Sequence, residues 1–242
     1  MEEQVCGGRS KCRNCRHVIP WHDNIPLVSF SLLGGKCRFC RSTISWIYPA
    51  VEFATGLLFF ALAARFGWTV QAILYAILGS GLLVVSVIDA KTMMIPDRVS
   101  LPGLGVGVVS SFFFPMLHGA AHPWGGLWAS LLGALVGGGF VYGMGLVGGI
   151  LFRRRLAAIG EEEAMGFGDV KLMAMVGSFI GWQKVLLVNL FLAPLIGSVI
   201  GVVAKFRYHR DLIPYGPFLA IGTLCAIFWG NQVIHWYQGL FF

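Results

Sequence analysis

Asp89 and Asp169 stand where an apolar chain tolerates carboxylates least. Asp89 closes the apolar run Val70 to Ile88, and Asp169 opens another in Gly166-Phe167-Gly168-Asp169-Val170-Lys171-Leu172. An ionisable side chain at the edge of a hydrocarbon-spanning segment carries a desolvation cost, so its presence points to function. Two close carboxylates cannot both ionise easily, and a pair that shares one proton is the working part of an acid/base hydrolase. The anion takes a proton from water; its protonated partner hydrogen-bonds the scissile carbonyl and then supplies the leaving amine. That is amide hydrolysis without a covalent intermediate. Gly166 and Gly168 lack a Cβ and permit close approach of an extended substrate. The plainer alternative makes Asp89 a helix-end residue and Asp169 an N-cap. Asp97 and Asp211 lie in polar loops, where solvated or turn roles suffice.

A second set of residues suits a metal. Cys12-Arg13-Asn14-Cys15 and Cys37-Arg38-Phe39-Cys40 are two knuckle-like pairs separated by 21 residues, one beyond the usual spacing for zinc ribbons. Four thiolates so arranged close a tetrahedral zinc site with no open position, and zinc would fold a segment too small and polar for a core of its own. Cys6 and Cys225 have no comparable partner and read as ordinary thiols.

The elements that position these groups must be membrane helices. Of the 242 residues, 57% are hydrophobic and 12% charged, against roughly 25% charged in soluble domains. The mean hydropathy is +0.75, and 33 glycines suit helices that pack closely where lipid supplies no hydrophobic drive between them. The net charge of +7 is explained by membrane orientation and anionic headgroups; no basic, aromatic-interleaved domain accompanies it, so nucleic acid is excluded as a partner. Met1 to Trp46 is polar and basic, unlike a cleavable signal peptide.

Seven apolar runs are expected to cross: Ile47 to Phe66, Thr69 to Ile88, Val99 to Leu117, Gly125 to Phe152, the short Val170 to Trp182, Gln183 to Lys205 and Pro217 to Trp236. The short run is expected to be shielded by its neighbours, being below the roughly 20 residues a free span needs. With the amino terminus inside, all but Arg65 and Lys184 of the 18 Lys and Arg residues face the cytoplasm, the bias that positive-inside orientation demands. Asp89 and Asp169 then share the cytoplasmic membrane edge. The expected architecture is an all-α polytopic membrane protein of about seven transmembrane helices. Residues 1–46 form a small cytoplasmic zinc-ribbon-like domain, and residues 47–242 the helical domain.

These residues resemble the bacterial type IV prepilin peptidases, aspartic peptidases of the Gly-x-Gly-Asp kind. The resemblance rests on Tyr48-Pro49-Ala50-Val51-Glu52, on Ile88-Asp89 followed by Ile95-Pro96-Asp97, on Gly166-Phe167-Gly168-Asp169-Val170-Lys171-Leu172 and on the paired Cys-x-x-Cys motifs, in the family's order. It implies that Asp89 and Asp169 are the catalytic pair and that the substrates are type IV prepilins or type II secretion pseudopilins. Cleavage would follow the glycine of a short basic leader at the cytoplasmic edge of the inner membrane. Many members also methylate the new amino terminus with S-adenosylmethionine. Members usually carry a further apolar helix before the cysteine segment, whereas Met1 to Val5 precede Cys6 here, so a shortened or divergent chain is expected. The rival from another class is a proton-coupled transporter, which also uses paired carboxylates but places them near the bilayer midplane, often between repeated halves.

Other features read more plainly. Gly143-Met144-Gly145-Leu146-Val147-Gly148 fits a dinucleotide pattern but lies in an apolar span without a preceding strand, and is expected to serve helix packing. Arg153-Arg154-Arg155 is an anchor to anionic lipid. Glu161-Glu162-Glu163 is a solvated loop or an attractor of a basic leader. Glu52, a turn inside the first span, either hydrogen-bonds locally or assists methyl transfer. Lys171 either acts on Asp169 or reaches for headgroups. His118 and His122 fall on the far side, away from the chemistry.

Overall fold

The computed structural model describes residues 10–151, 153, 165–208 and 214–241, with side chains beyond position 201 described except at 202, 204–208 and 241. Cys6, Arg154, Arg155, the Glu161 to Glu163 cluster and Asp211 lie outside the described residues. Among the described residues the protein is helical, with two isolated β-bridges, Lys11 to Val18 and Lys36 to Thr43, in place of a sheet. Short turns at Trp21–Asn24 and α1 (Val28–Leu32) precede α2 (Ile47–Phe66), α3 (Val70–Thr92), α4 (Asp97–Phe113), α5 (Pro123–Leu151), α6 (Phe167–Ile180), α7 (Trp182–Leu187), α8 (Ala193–Tyr208) and α9 (Gly216–Phe241). The chain divides into two compact units, Met1–Ala61 and Leu62–Phe242.

Among the described residues, five helical stretches are long and apolar enough to cross a membrane: Ile47–Phe66, Val70–Thr92, Pro123–Leu151, Trp182–Gly201 and Gly216–Leu240. This is a membrane protein by that measure, with helix bounds close to the apolar runs of the sequence. Three differences stand out. Helix α3 does not stop at Ile88 but runs to Thr92, where Met93 turns left-handed (φ 53°) and its amide bonds to the Asp89 carbonyl; Asp89 is therefore inside the last turn. The expected single helix Gln183 to Lys205 contains a π turn at Val188–Leu192, joining α7 to α8. There the buried Asn189 donates from Nδ2 to the Gly137 carbonyl at 3.2 Å. Asp169 is not an N-cap: Gly166 holds that position and Asp169 is the third residue of α6.

Helix α6 is the buried centre of the second unit. Leu172, Met173, Met175, Val176 and Phe179 are almost wholly enclosed, and α3, α4, α5 and α9 all pack against it. Its contact with α5 is backbone on backbone. A Cβ on Gly133 would strike the Gly177 carbonyl oxygen, one on Gly177 would strike that of Gly133, and one on Gly137 would strike that of Met173. Such small-residue crossings supply the close packing that holds helices together in lipid. On the α4 side, Gly103 receives Met175 and Gly107 receives Ser178 and Phe179. In the glycine pattern expected to pack helices, Gly143 has nothing within 4 Å and Gly145 meets Met165 among the described residues. The face of α5 that meets α6 is set by Gly133, Gly137 and Gly138, one to three turns earlier.

Candidate active site

Asp89 is buried at 5% exposure. Its Oδ2 accepts a hydrogen bond from the Gly216 amide at 2.8 Å, across 127 residues of sequence. Gly216 has no alternative here, because a Cβ would lie 2.7 Å from that oxygen and 3.2 Å from Cγ. Asp169 starts from a tight turn in which its amide bonds the Gly166 carbonyl at 3.0 Å. The carboxylate folds back over Gly166, where a Cβ would sit 3.6 Å from Oδ2. Gly168 is filled from the other side by Ile95, whose Cβ would be 2.9 Å from an added Cβ. Gly168 is thus explained by what presses on it, whereas an added Cβ at Gly166 would meet only ordinary van der Waals contact.

The two carboxylates lie close enough for their charges to act on each other. Asp89 is bonded to one turn, Pro214 to Pro217, and the charge of Asp169 acts on the same turn. Gly216 binds Asp89, and the adjacent Tyr215 feels the charge of Asp169. Burial first, and that negative charge second, push the Tyr215 phenol up to about 12. The structure therefore links Asp89 and Asp169 to a third element, the start of α9. A signal was available: the charge count puts that Pro-x-Gly-Pro turn on the same membrane side as both aspartates.

Asp97 and Lys171 depart from their expected roles. Lys171 Nζ donates to both carboxylate oxygens of Asp97 at 2.8 and 2.7 Å and lies 5.1 Å from the Phe167 ring centre. Lys171 is held by Asp97 and not by Asp169, and Asp97 is no free turn residue. Glu52 takes the local role: its Oε2 accepts from the Leu27 amide at 2.9 Å. Leu27 sits at φ 59°, uncommon for a side chain of this kind, and the carboxylate satisfies its amide. His118 Nε2 is 2.9 Å from Ser111 Oγ, while Ser111 and Ser130 both donate to the Ser178 carbonyl. Ser178 is nine residues beyond Asp169 on α6, about 14 Å along a helix, so this cluster stands apart from the carboxylates.

In the first unit the Sγ atoms of Cys12, Cys15, Cys37 and Cys40 all lie within 4.8 Å of one another and could hold a metal ion. Zn–S bonds of about 2.3 Å in a tetrahedron place sulfurs roughly 3.8 Å apart; Cys12 and Cys40 are 3.8 Å apart. Each cysteine pair is carried by the same loop. Cys12 and Cys37 amides bond to His17 and Ser42 carbonyls, and the Arg16 and Arg41 amides return to the Cys12 and Cys37 carbonyls. Arg16 and Arg41 are both left-handed, at φ 55° and 59°. This is a repeat that the sequence itself displays, Lys11-Cys12-Arg13-x-Cys15-Arg16 against Lys36-Cys37-Arg38-x-Cys40-Arg41. The Ser42 hydroxyl, 3.0 Å from Cys40 Sγ, and the Ser42 amide hold the Cys40 thiol down to about 5, in the range where it is a thiolate ready to ligate. Asp23 and Arg38 pair bidentately beside the loops.

Comparison with known proteins agrees with this division of labour. The description "Bacterial Peptidase A24 N-terminal domain" matches residues 1–66, and "Type IV leader peptidase family" matches residues 76–202, which contain both aspartates. A Pseudomonas aeruginosa protein called prepilin leader peptidase/N-methyltransferase is 39% identical over 232 residues, covering 94% of this chain and 74% of its own length. Proteins of the same name from Stutzerimonas stutzeri (38% identical; 93% of this chain, 73% of the relative) and Aeromonas hydrophila (36%; 95% and 74%) are similar in extent. No solved structure matches the chain. The chain belongs to the type IV leader peptidase family.

Proposed function

We propose that this protein is a membrane aspartic endopeptidase that removes the basic leader of type IV prepilins or pseudopilins, with Asp89 and Asp169 as its catalytic residues. The observation that carries the reading is that these two carboxylates lie within reach of each other's charge, with Asp89 bonded to Gly216 and the charge of Asp169 acting on the neighbouring Tyr215, in a chain of this family. The pair holds a water between its members. One carboxylate takes a proton from the water as it attacks the scissile carbonyl, and the other, protonated, hydrogen-bonds the carbonyl oxygen and then passes its proton to the leaving amine. The Gly216 amide keeps Asp89 oriented throughout, and water returns the pair to its starting protonation.

The site is placed at the cytoplasmic edge of a bacterial inner membrane, with the amino terminus inside. Helices α4 and α6, of 17 and 14 residues, serve as two further crossings sheathed by protein and lipid, for seven in all. Residues 1–46 form the cysteine domain and 47–242 the helical domain. Zinc is the structural metal, held by Cys12, Cys15, Cys37 and Cys40, where it supplies cross-linking of the two loops and no catalysis. The relatives' name includes N-methyltransferase, and this chain is proposed to methylate the new amino terminus with S-adenosylmethionine. The transporter reading has no support among the relatives named above, each of which carries the peptidase name.

The test mixes purified protein in detergent with a prepilin bearing its leader and follows release by electrophoresis and mass spectrometry. Cleavage after the leader glycine is expected from wild type and not from Asp89→Ala or Asp169→Ala. Processing that survives both substitutions rejects the assignment.

A further inference from the structure

We propose that Asp97 and Lys171 are a positioning pair that sets the separation of the two catalytic carboxylates, an inference that rests on the peptidase reading above. The segment between α3 and α4 is short, and it is fastened at both ends to catalytic helices. It leaves α3 at Met93, whose amide bonds the carbonyl of Asp89 at 2.8 Å. Two residues on, Ile95 fills the space left by Gly168, the residue before Asp169. Asp97, first residue of α4, then takes Lys171, two residues after Asp169, in a two-oxygen grip. One segment therefore holds the Asp89 turn at one end and both flanks of Asp169 at the other.

The side chains of Lys171 and Asp97 are 25% and 52% exposed, so an ion pair of this kind adds little to stability. Its consequence is geometric. Proton transfer through a shared water depends on carboxylate placement, and a displacement of about 1 Å costs roughly 100-fold in rate. The pair also occupies the cation nearest in sequence to Asp169, leaving that carboxylate free to face Asp89. Neither residue is assigned contact with the scissile bond, so both act through the aspartates.

The test measures kcat and KM for prepilin cleavage by Asp97→Asn, Lys171→Met, the double variant, and the conservative Asp97→Glu and Lys171→Arg. Each disruptive single is expected to lower kcat by about 10- to 100-fold with KM within about twofold, and the double to be no worse than either single, because contacting residues are not additive. The conservative variants should regain most of the rate. Wild-type kcat in the singles, losses that add in the double, or a loss confined to KM would overturn the proposal. Should Asp97→Asn fail to fold, Gly168→Ala strains the same segment at Ile95 while keeping both charges, and a wild-type kcat there also overturns it. Asp89→Ala and Asp169→Ala run alongside: cleavage surviving in those sinks the peptidase reading itself, a result distinct from any of the above.

Discussion

The Gly216 amide donates to Asp89 Oδ2 at 2.8 Å, so the carboxylate of one helix is held by the first residue of another 127 positions away. The bond and the steric fit come from the same glycine. A methyl group at Gly216 would lie 2.7 Å from that oxygen and must displace it. Gly216→Ala is expected to lower kcat for prepilin cleavage by about 100-fold, the scale of a 1 Å misplacement, with little change in KM. Steady-state kinetics beside a thermal melt of the same preparation checks this, and a near-normal kcat would remove the Gly216 bond from the account.

Gly177 and Gly143 separate packing glycines from bystanders. Gly177→Ala drives a methyl into the Gly133 carbonyl and should cost about 1–3 kcal/mol by overpacking. Gly143→Ala meets nothing within 4 Å and, in a helix, should be neutral or stabilising by up to about 1 kcal/mol. Unfolding in detergent, compared with wild type, distinguishes the two.

The cysteine loops predict one tightly held zinc per chain. Elemental analysis of wild type beside a Cys37→Ser, Cys40→Ser double variant should show the metal lost, since two of four ligands cannot close the tetrahedron. Unchanged metal content would reject the site.

Asp23 gives an acid-side prediction. The Arg38 guanidinium bonded to it holds its carboxyl below the ordinary carboxylate value. A depressed folded-state pKa stabilises the fold above the unfolded value near 4 and the contribution is lost as pH falls through the folded one. Asp23→Asn should therefore speed zinc release at pH 6 to 8, where wild type keeps the pair. The variant and wild type should converge in strong acid, as read by a chromogenic chelator.

Much of this was legible in the sequence. The first span, Ile47–Phe66, coincides with its helix, because a continuous apolar run between polar flanks leaves little choice. The cysteine pairs and the two aspartates were visible from residue type and spacing. The Asp97–Lys171 pair was not, since its members are 74 residues apart and only folding brings them together. Nor could composition say which glycines of α5 face α6, because that helix carries ten of them. The π turn at Val188–Leu192 holds Asn189, which reaches the Gly137 carbonyl, a tertiary contact with no local signature.

The most direct measurement compares prepilin cleavage by Asp89→Asn, Asp169→Asn and the double variant in single-turnover assays. Groups that act as one unit fail together, so each single should lose at least about 1,000-fold and the double should be no slower than either. A single variant that keeps a tenth of the wild-type rate, or losses that multiply in the double, would contradict a shared site.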